Sequence, residues 1–430
     1  MSSKCACLFV TAFSLLATTG AAQGEVLTLQ EALKMAAERN GSVMAAQFDI
    51  EAARQRVTQA RAAFLPTVTP SYRYNSGRTE IDTGSGTRFL QDEGGSSLVR
   101  ADWRIFDSGE RMFSMRASRS SLASQEFSTR QTLRSTLFSV TQQYYEALRS
   151  QELLKVAEEQ VKRSAAIRSQ IEARIKAEDA AEIEKYQAEA DYQNAKVQAL
   201  VAKNLVSTSA ANLKGTIGLD QTQPLPTLAP EPEVKETAPA EELKSLLAEG
   251  MATRPDLESR RRALQSLGFS RDRARREAGL TFGLDAHFDQ HVTPKSLEDR
   301  ALTLNLSYPL FDGGQRRSIA RELEQNIKAD QAALVQAERS ARAEIEAAHA
   351  EFSQNGDRLS AALVARDAAR RNYTAAEQSQ VAGAYDLLQV NAAQLSLVTA
   401  ESNYIEALYD YRISEARLRL VTGRPISSGS

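Results

Sequence analysis

The chain has 430 residues, 42% of them hydrophobic and 25% charged, with a formal net charge of -2. This is the composition of a folded chain, and it excludes a collagenous or disordered protein and gives no reason to expect a nucleic acid or an acidic partner. The only cysteines, Cys5 and Cys7, fall in the first residues and leave the rest of the chain without disulfide or thiol chemistry.

From the start, Lys4, the apolar stretch CLFVTAFSLLATTG and the small residues Gly20, Ala21 and Ala22 have the form of a secretory signal peptide over residues 1–22, cleaved near Ala22. Both cysteines precede the apolar run, so neither is placed as a lipidated cysteine would be. No later apolar run reaches the 18 or so residues that a spanning helix needs. If the exported chain enters a bilayer, it does so as β-strands.

A helix is expected from Ser42 to Phe64, ended by Pro66. Then Val68, Pro70, Tyr72 and Tyr74 alternate with polar residues, as do Val99, Ala101, Trp103 and Ile105, predicting a hairpin with strands 67–76 and 97–106. The junction WRIFDSGERM follows, with Phe106, Asp107 and Gly109. After Gly109, 67 residues contain neither proline nor glycine, so a helix of about 100 Å is expected over 110–175, with a return helix over 180–215. Residues 219–240 hold five of the eleven prolines and read as a linker.

The same order then recurs. A helix is expected from Pro255 to Ala278, strands at 280–289 and 301–310, and the junction YPLFDGGQRR with Phe311, Asp312, Gly313 and Gly314. A long helix over 315–381, a return helix over 385–421 and a tail over 424–430 complete the chain. Phe106 and Phe311 are 205 positions apart; Glu178 and Gly383 share that offset, as do Gly218 and Gly423. The chain is therefore read as two repeats, 23–218 and 241–423. Leu65 and Leu280 look like counterparts, which confines the difference in length between the repeats to a loop. Leu334, Ala341 and Ala348, and Val398 and Ile405, recur at seven and allow close helix packing. At each junction the aspartate can cap the coming helix while the glycines turn the backbone.

Alternation alone is equally compatible with a small sheet lying on a soluble core. Two hairpins cannot enclose a pore, because the smallest membrane barrels have 8 strands, so in a membrane several chains would have to share one barrel. His287 and His291 are four apart but fall in or just beyond an expected strand and not on a helix, and with no cysteine in the exported chain a structural zinc site is not expected; the chain has no phosphate loop or nucleophile elbow. No cofactor and no catalysis are expected. The basic stretch Ser259 to Glu277 reads as a solvated helix face.

The segments LTLQEALKMAAERN, RAAFLPTVTPSYRY, YPLFDGGQRR and NYIEALYDYRISEARLRLVTG resemble the TolC-type outer membrane efflux proteins, and the resemblance extends over essentially the whole chain after the signal. It implies a homotrimer in which four strands per chain build a 12-stranded barrel in outer membrane lipid, continued by twelve helices as a periplasmic tunnel. It further implies a periplasmic adaptor protein and an inner-membrane pump of RND, ABC or MFS type, with no chemistry at the channel. Carried over residue by residue, the adaptor-docking turns would be Ala177, Glu178 and Asp179, and Ala382, Gly383 and Ala384. Gln380 stands where the family often has an aromatic residue. A constriction would draw on Glu182, Glu184, Asp386 and Gln389, although the acids among these are also ordinary solvated helix residues and Gln389 replaces a common aspartate. Small-molecule efflux, protein secretion and a poreless periplasmic coiled-coil scaffold all remain open at this level.

Overall fold

The computed structural model describes residues 26–82, 86–178, 180–230, 241–292, 297–381 and 387–426. The signal peptide, Asp179, the end of the proline-rich segment, Ala382, Gly383, Ala384, Asp386 and the last residues of the tail lie outside them. In chain order the elements are β1 (Val26–Leu27), α1 (Leu29–Arg39), α2 (Gly41–Ala62), β2 (Thr67–Asp82), β3 (Thr87–Phe106), α3 (Glu110–Lys176) and α4 (Glu182–Ile217). The second series is β4 (Thr227–Leu228), α5 (Leu243–Thr253), α6 (Pro255–Arg276), β5 (Thr281–Val292), β6 (Leu297–Ser307), α7 (Gln315–Val381) and α8 (Leu387–Val421).

The two 67-residue helices, α3 and α7, form the long rods, and α4 and α8 run back along them. A core sits near the middle of the rods, where Tyr144, Leu213, Ile217, Leu246 and Ile345 are fully buried. Ala341 and Ala348 are buried at their heptad positions and Ile405 nearly so, which brings the helix backbones close.

The short helices α1 and α5 are additions to the expected elements; α1 carries an amphipathic stripe of Leu29, Ala32, Leu33 and Ala36, the last three buried. The readable signal for α1 is its capping box, in which Thr28 and Glu31 bond each other's backbone N–H. Each short helix ends against the return helix of its own repeat. Gly218 and Gly423, in left-handed conformation, admit that approach: a Cβ would lie 2.8 Å from the carbonyl oxygen of Arg39 at one and 2.1 Å from Thr253 Oγ1 at the other.

The proline-rich segment is more than a linker. Its described part carries β4, which pairs in parallel with β1, and the Tyr144 hydroxyl donates to the carbonyls of Leu27, in β1, and Ala229, just after β4, at 3.0 and 3.2 Å. At the other end, Arg424 bonds both Glu241 and Glu249, and Arg134 donates to four backbone carbonyls in the stretch Arg419 to Arg424. The first and last described residues are thus tied into the middle of the rods.

The second sheet has the order β2-β3-β5-β6, with every neighbour antiparallel. Three corrections to the sequence reading follow. The first hairpin continues past residue 76 and back from residue 87, so its extra length lies in paired strands and not in a loop. β6 stops at Ser307, before Pro309, which has no N–H to give a ladder. Leu65 corresponds to Gly279 and not to Leu280. From Thr67 to Thr281, where the strands begin, is 214 positions, and Leu65 and Gly279 each donate to the carbonyl three residues back, at 2.9 and 2.8 Å.

Candidate functional site: a two-faced sheet continued by helical rods

Because the four strands pair without a slip from Val99 to Trp103, residues of like polarity fall on shared rungs. Val68, Ala101, Ala286 and Leu302 form one apolar rung; Pro70, Val99 and Phe288 belong to another, and Trp103, Leu284 and Leu304 to a third. Leu302, Leu304 and Leu306 are 64–70% exposed and Tyr72 69%, so one sheet face presents apolar surface, which Arg300, opposite Phe288 and lying over its ring, interrupts.

The opposite face is polar. Its rungs run Thr67, Asp102, Asp285, Thr303; then Thr69, Arg100, His287, Ala301; then Ser71, Leu98, Asp289, Asp299. Arg100 lies 3.6 Å from Asp285, and the two His287 ring nitrogens lie 3.6 Å from Asp285 and 3.5 Å from Asp299. Among the side chains described on this face, Arg73, Arg100 and Arg104 stand against Asp102, Asp285, Asp289 and Asp299, one more acid than base. No helix among the described residues is long and apolar enough to cross a membrane.

At the first junction, Asp107 Oδ1 accepts from Gly109 N–H at 3.1 Å and Oδ2 from Arg111 N–H at 3.1 Å, supplying the cap that α3 needs. The second junction repeats this, with Asp312 accepting from Gly314 and Arg316 at 2.9 and 3.2 Å. Those two backbone bonds hold the Asp312 carboxyl below the ordinary aspartate range. The backbone turns through positive φ at Ser108 (55°) and Gly109 (94°), and at Gly313 (66°) and Gly314 (88°).

The junctions differ in their surroundings. Asp107 and Arg111 are buried and paired at 2.5 Å; Arg111 also donates to the carbonyls of Ala63 and Ile105 and lies over the Phe64 ring. Arg111 does not stand out in the sequence, since an arginine in a first helical turn normally faces water; its spacing of four from Asp107 is the available signal. Phe106 is half exposed, whereas Leu310 and Phe311 are each 90% exposed.

At the far tip, Ala177 ends α3 and Glu178 sits at φ 63°, a left-handed conformation at the position where the second repeat has Gly383. Glu182 and Glu184 lie in the first turn of α4, where acids are favoured by the helix dipole. Glu184 is 3.8 Å from Arg174, so it is engaged with its own hairpin of helices. Gln389 is exposed near the start of α8. The structure thus places Glu178, Glu182 and Glu184 together at one tip, and Asp179, Asp386 and the turn at Gly383 lie outside the described residues. Among the described residues no group of three or more His, Cys, Asp or Glu is placed to hold a metal.

The family model of outer membrane efflux proteins matches residues 32–219 and 248–424. The chain is 26% identical over 338 residues to protein CyaE of Bordetella pertussis, covering 76% of this chain and 69% of that one. It is 24% identical over 416 residues to the alkaline protease secretion protein AprF of Pseudomonas aeruginosa, covering 92% and 84%. It is 23% identical over 415 residues to the outer membrane efflux protein BepC of Brucella suis, covering 92% and 85%. Among solved structures, the CmeC outer membrane channel of Campylobacter jejuni superposes with a TM-score of 0.79 at 17% identity, covering 92% of this chain and 85% of that one. VceC of Vibrio cholerae superposes with 0.75 at 15%, covering 93% and 97%. Two tandem sets of rod and hairpin, a sheet with one apolar and one polar face, and a family model matching both halves of the chain lead to one conclusion: the chain belongs to the outer membrane efflux protein family, and it is an outer membrane export channel that extends into the periplasm.

Proposed function

We propose that three copies close their sheets into one 12-stranded barrel in the outer membrane, continued by twelve helices as a water-filled periplasmic tunnel. The tunnel is a passive conduit that receives cargo from a periplasmic adaptor and an inner-membrane pump and does no chemistry on it. The observation that carries this reading is the aligned sheet with two open edges, β2 and β6, since unpaired backbone cannot face hydrocarbon and only closure removes an edge. Four strands are too few to close alone, and three copies supply twelve.

The rods carry matching unfilled surfaces. α4 exposes Ile183, Tyr186, Val197, Leu200 and Val201, and a groove of about 1000 Å³ between α7 and α8 is lined by Ala361, Ala365, Ala368, Ala392 and Thr399. Large side chains on one face and small ones on another suit side-by-side packing of copies. The turns at Ala177, Glu178, Asp179 and at Ala382, Gly383, Ala384 are the adaptor-docking tips. Glu182, Glu184, Asp386 and Gln389 line the entrance, and residues 1–22 are removed on export.

AprF is named for protease secretion and BepC for efflux; the pump and adaptor that co-purify with this chain assign its cargo class. The reading is tested by extracting the protein from outer membranes, measuring its native mass in detergent and recording ion conductance in planar bilayers. Trimer mass with conductance is expected. A detergent-independent protein without conductance would instead establish a poreless periplasmic scaffold.

A further inference from the structure

Within one chain, the first junction is completed by the second repeat. Ser108 Oγ donates to the Leu280 carbonyl at 2.9 Å, and Gly279 leaves the necessary room: a Cβ there would lie 2.3 Å from Ser108 Cβ. The second junction has no such cover. Nothing lies within 4 Å of a Cβ built on Gly313, while Leu310 and Phe311 stand in the open. The sheet shows the same asymmetry, because β3, paired on both sides, continues to Phe106, whereas β6, paired on one side, stops at Ser307.

The repeat relation identifies the missing cover. The half containing β3 and α3 maps onto β6 and α7 by the offset from Ser108 to Gly313, and the half containing α6 and β5 maps onto α2 and β2 by that from Gly279 to Leu65. Applied to the β3–β5 ladder, these offsets convert an internal pairing into one between copies. Asp102 opposite Asp285 becomes Ser307 opposite Ser71 of the next copy; Ala101 opposite Ala286 becomes Leu306 opposite Tyr72; Val99 opposite Phe288 becomes Leu304 opposite Tyr74. These pairs match polar with polar and apolar with apolar, as a sheet buried on one face requires, whereas further along the ladder Ser97 opposite Gln290 becomes Leu302 opposite Ser76.

We propose that β6 of each copy pairs with β2 of the next in this register, and that Leu65 of the next copy packs over Gly313. The proposal rests on the trimeric reading and specifies its interface. At the first junction a larger side chain, Ser108, meets Gly279. At the second the sizes exchange sides, and Gly313 leaves room for Leu65, which is 67% exposed in the lone chain. The helices follow the same rule. α6 packs along α3, so its counterpart α2, which leaves Met44 and Phe48 exposed, packs along α7 of the preceding copy.

The register is tested in the full chain in a Cys5→Ser, Cys7→Ser background. Under mild oxidation, Ser71→Cys with Ser307→Cys gives covalent dimers and trimers, while Ser71→Cys with Thr303→Cys, four residues out of register, stays monomeric on denaturing gels. The reverse pattern, or no cross-link in a species whose native mass is still trimeric, overturns the register and leaves the trimer standing. A monomeric native mass before oxidation removes the trimer itself. The packing is tested by Gly313→Ser, which places at the second junction the residue that tolerates the same positive φ at the first. Alone it collides with Leu65 and lowers the trimer fraction; with Leu65→Gly, which reproduces the Ser108 and Gly279 pair, the trimer returns. A trimer fraction unchanged by Gly313→Ser, or not restored by Leu65→Gly, contradicts the proposal.

Discussion

The two strand-to-helix junctions have the same backbone and different surroundings. Asp107 and Asp312 accept from the same two helical N–H groups, counted from their own positions, yet Arg111 is buried against its aspartate while Arg316 stands 3.8 Å from Asp312 in a half-exposed site. The motif fixes the turn, and the neighbouring repeat decides what the turn is worth. Replacing one partner of a buried pair leaves an uncompensated charge, so Arg111→Ala is expected to cost about 3–5 kcal/mol of chain stability. Arg316→Ala costs the isolated chain about 0–1 kcal/mol. Thermal unfolding of the two variants measures the gap, and equal losses in a monomeric chain would remove the distinction.

A second contrast lies between the faces of the sheet. Leu304 and Thr303 are adjacent in β6 and point to opposite sides. Leu304→Arg puts a charge into lipid and is expected to cost about 2–4 kcal/mol near the bilayer midplane, read as lost outer-membrane assembly. Thr303→Arg faces water and leaves assembly intact. If both or neither disturbed assembly, the two-faced assignment would fail.

A smaller effect separates the helix ends. At Gly218 an added Cβ meets backbone, the carbonyl of Arg39, whereas at Gly423 it meets the side chain of Thr253. Each alanine carries about 1–3 kcal/mol of strain from its left-handed φ. Thr253→Ala is expected to relieve part of the Gly423→Ala loss, and no side-chain change relieves Gly218→Ala. Denaturation midpoints of the single and double variants make the comparison.

Much of this architecture is legible in residues. A run free of proline and glycine after Gly109 is α3, and the alternation at Val99 to Ile105 identifies the face that the register later aligns with β5 and β6. The aspartate and glycines of the junctions announce a cap and a turn. Other features depend on contacts that no local pattern encodes. The first hairpin beyond Asn75 loses its alternation, so its paired length is visible only in the ladder. Arg111 reads as a surface residue until Ala63, Phe64 and Ile105 are brought over it. Leu65 and Leu280 look equivalent as letters, but the backbone bonds equate Leu65 with Gly279. Sequence identity misled there because the two junctions exchange large and small residues.

The smallest effects are expected from acid. Asp312 has its carboxyl lowered by the backbone bonds from Arg316 and Gly314, so its contribution is fully present above the ordinary aspartate value of about 3.9 and fades as pH falls through the lower folded value. Glu241 and Glu249, lowered by hydrogen bonds from Arg424, behave alike around the glutamate range near 4.3. Arg424→Ala therefore costs about 0.2–1 kcal/mol per exposed pair at neutral pH. The difference from the parent chain narrows below about pH 4. A difference that widened with acid would mean that these carboxylates do not carry the contact.

The polar face of this sheet is predicted to line a water-filled pore. Thr303→Cys and Leu304→Cys channels, recorded in planar bilayers before and after a charged, membrane-impermeant thiol reagent, put that to the test. Modification at Thr303→Cys is predicted to change the conductance while Leu304→Cys channels are unaffected; an effect only at Leu304→Cys, or no conductance from either, would contradict it.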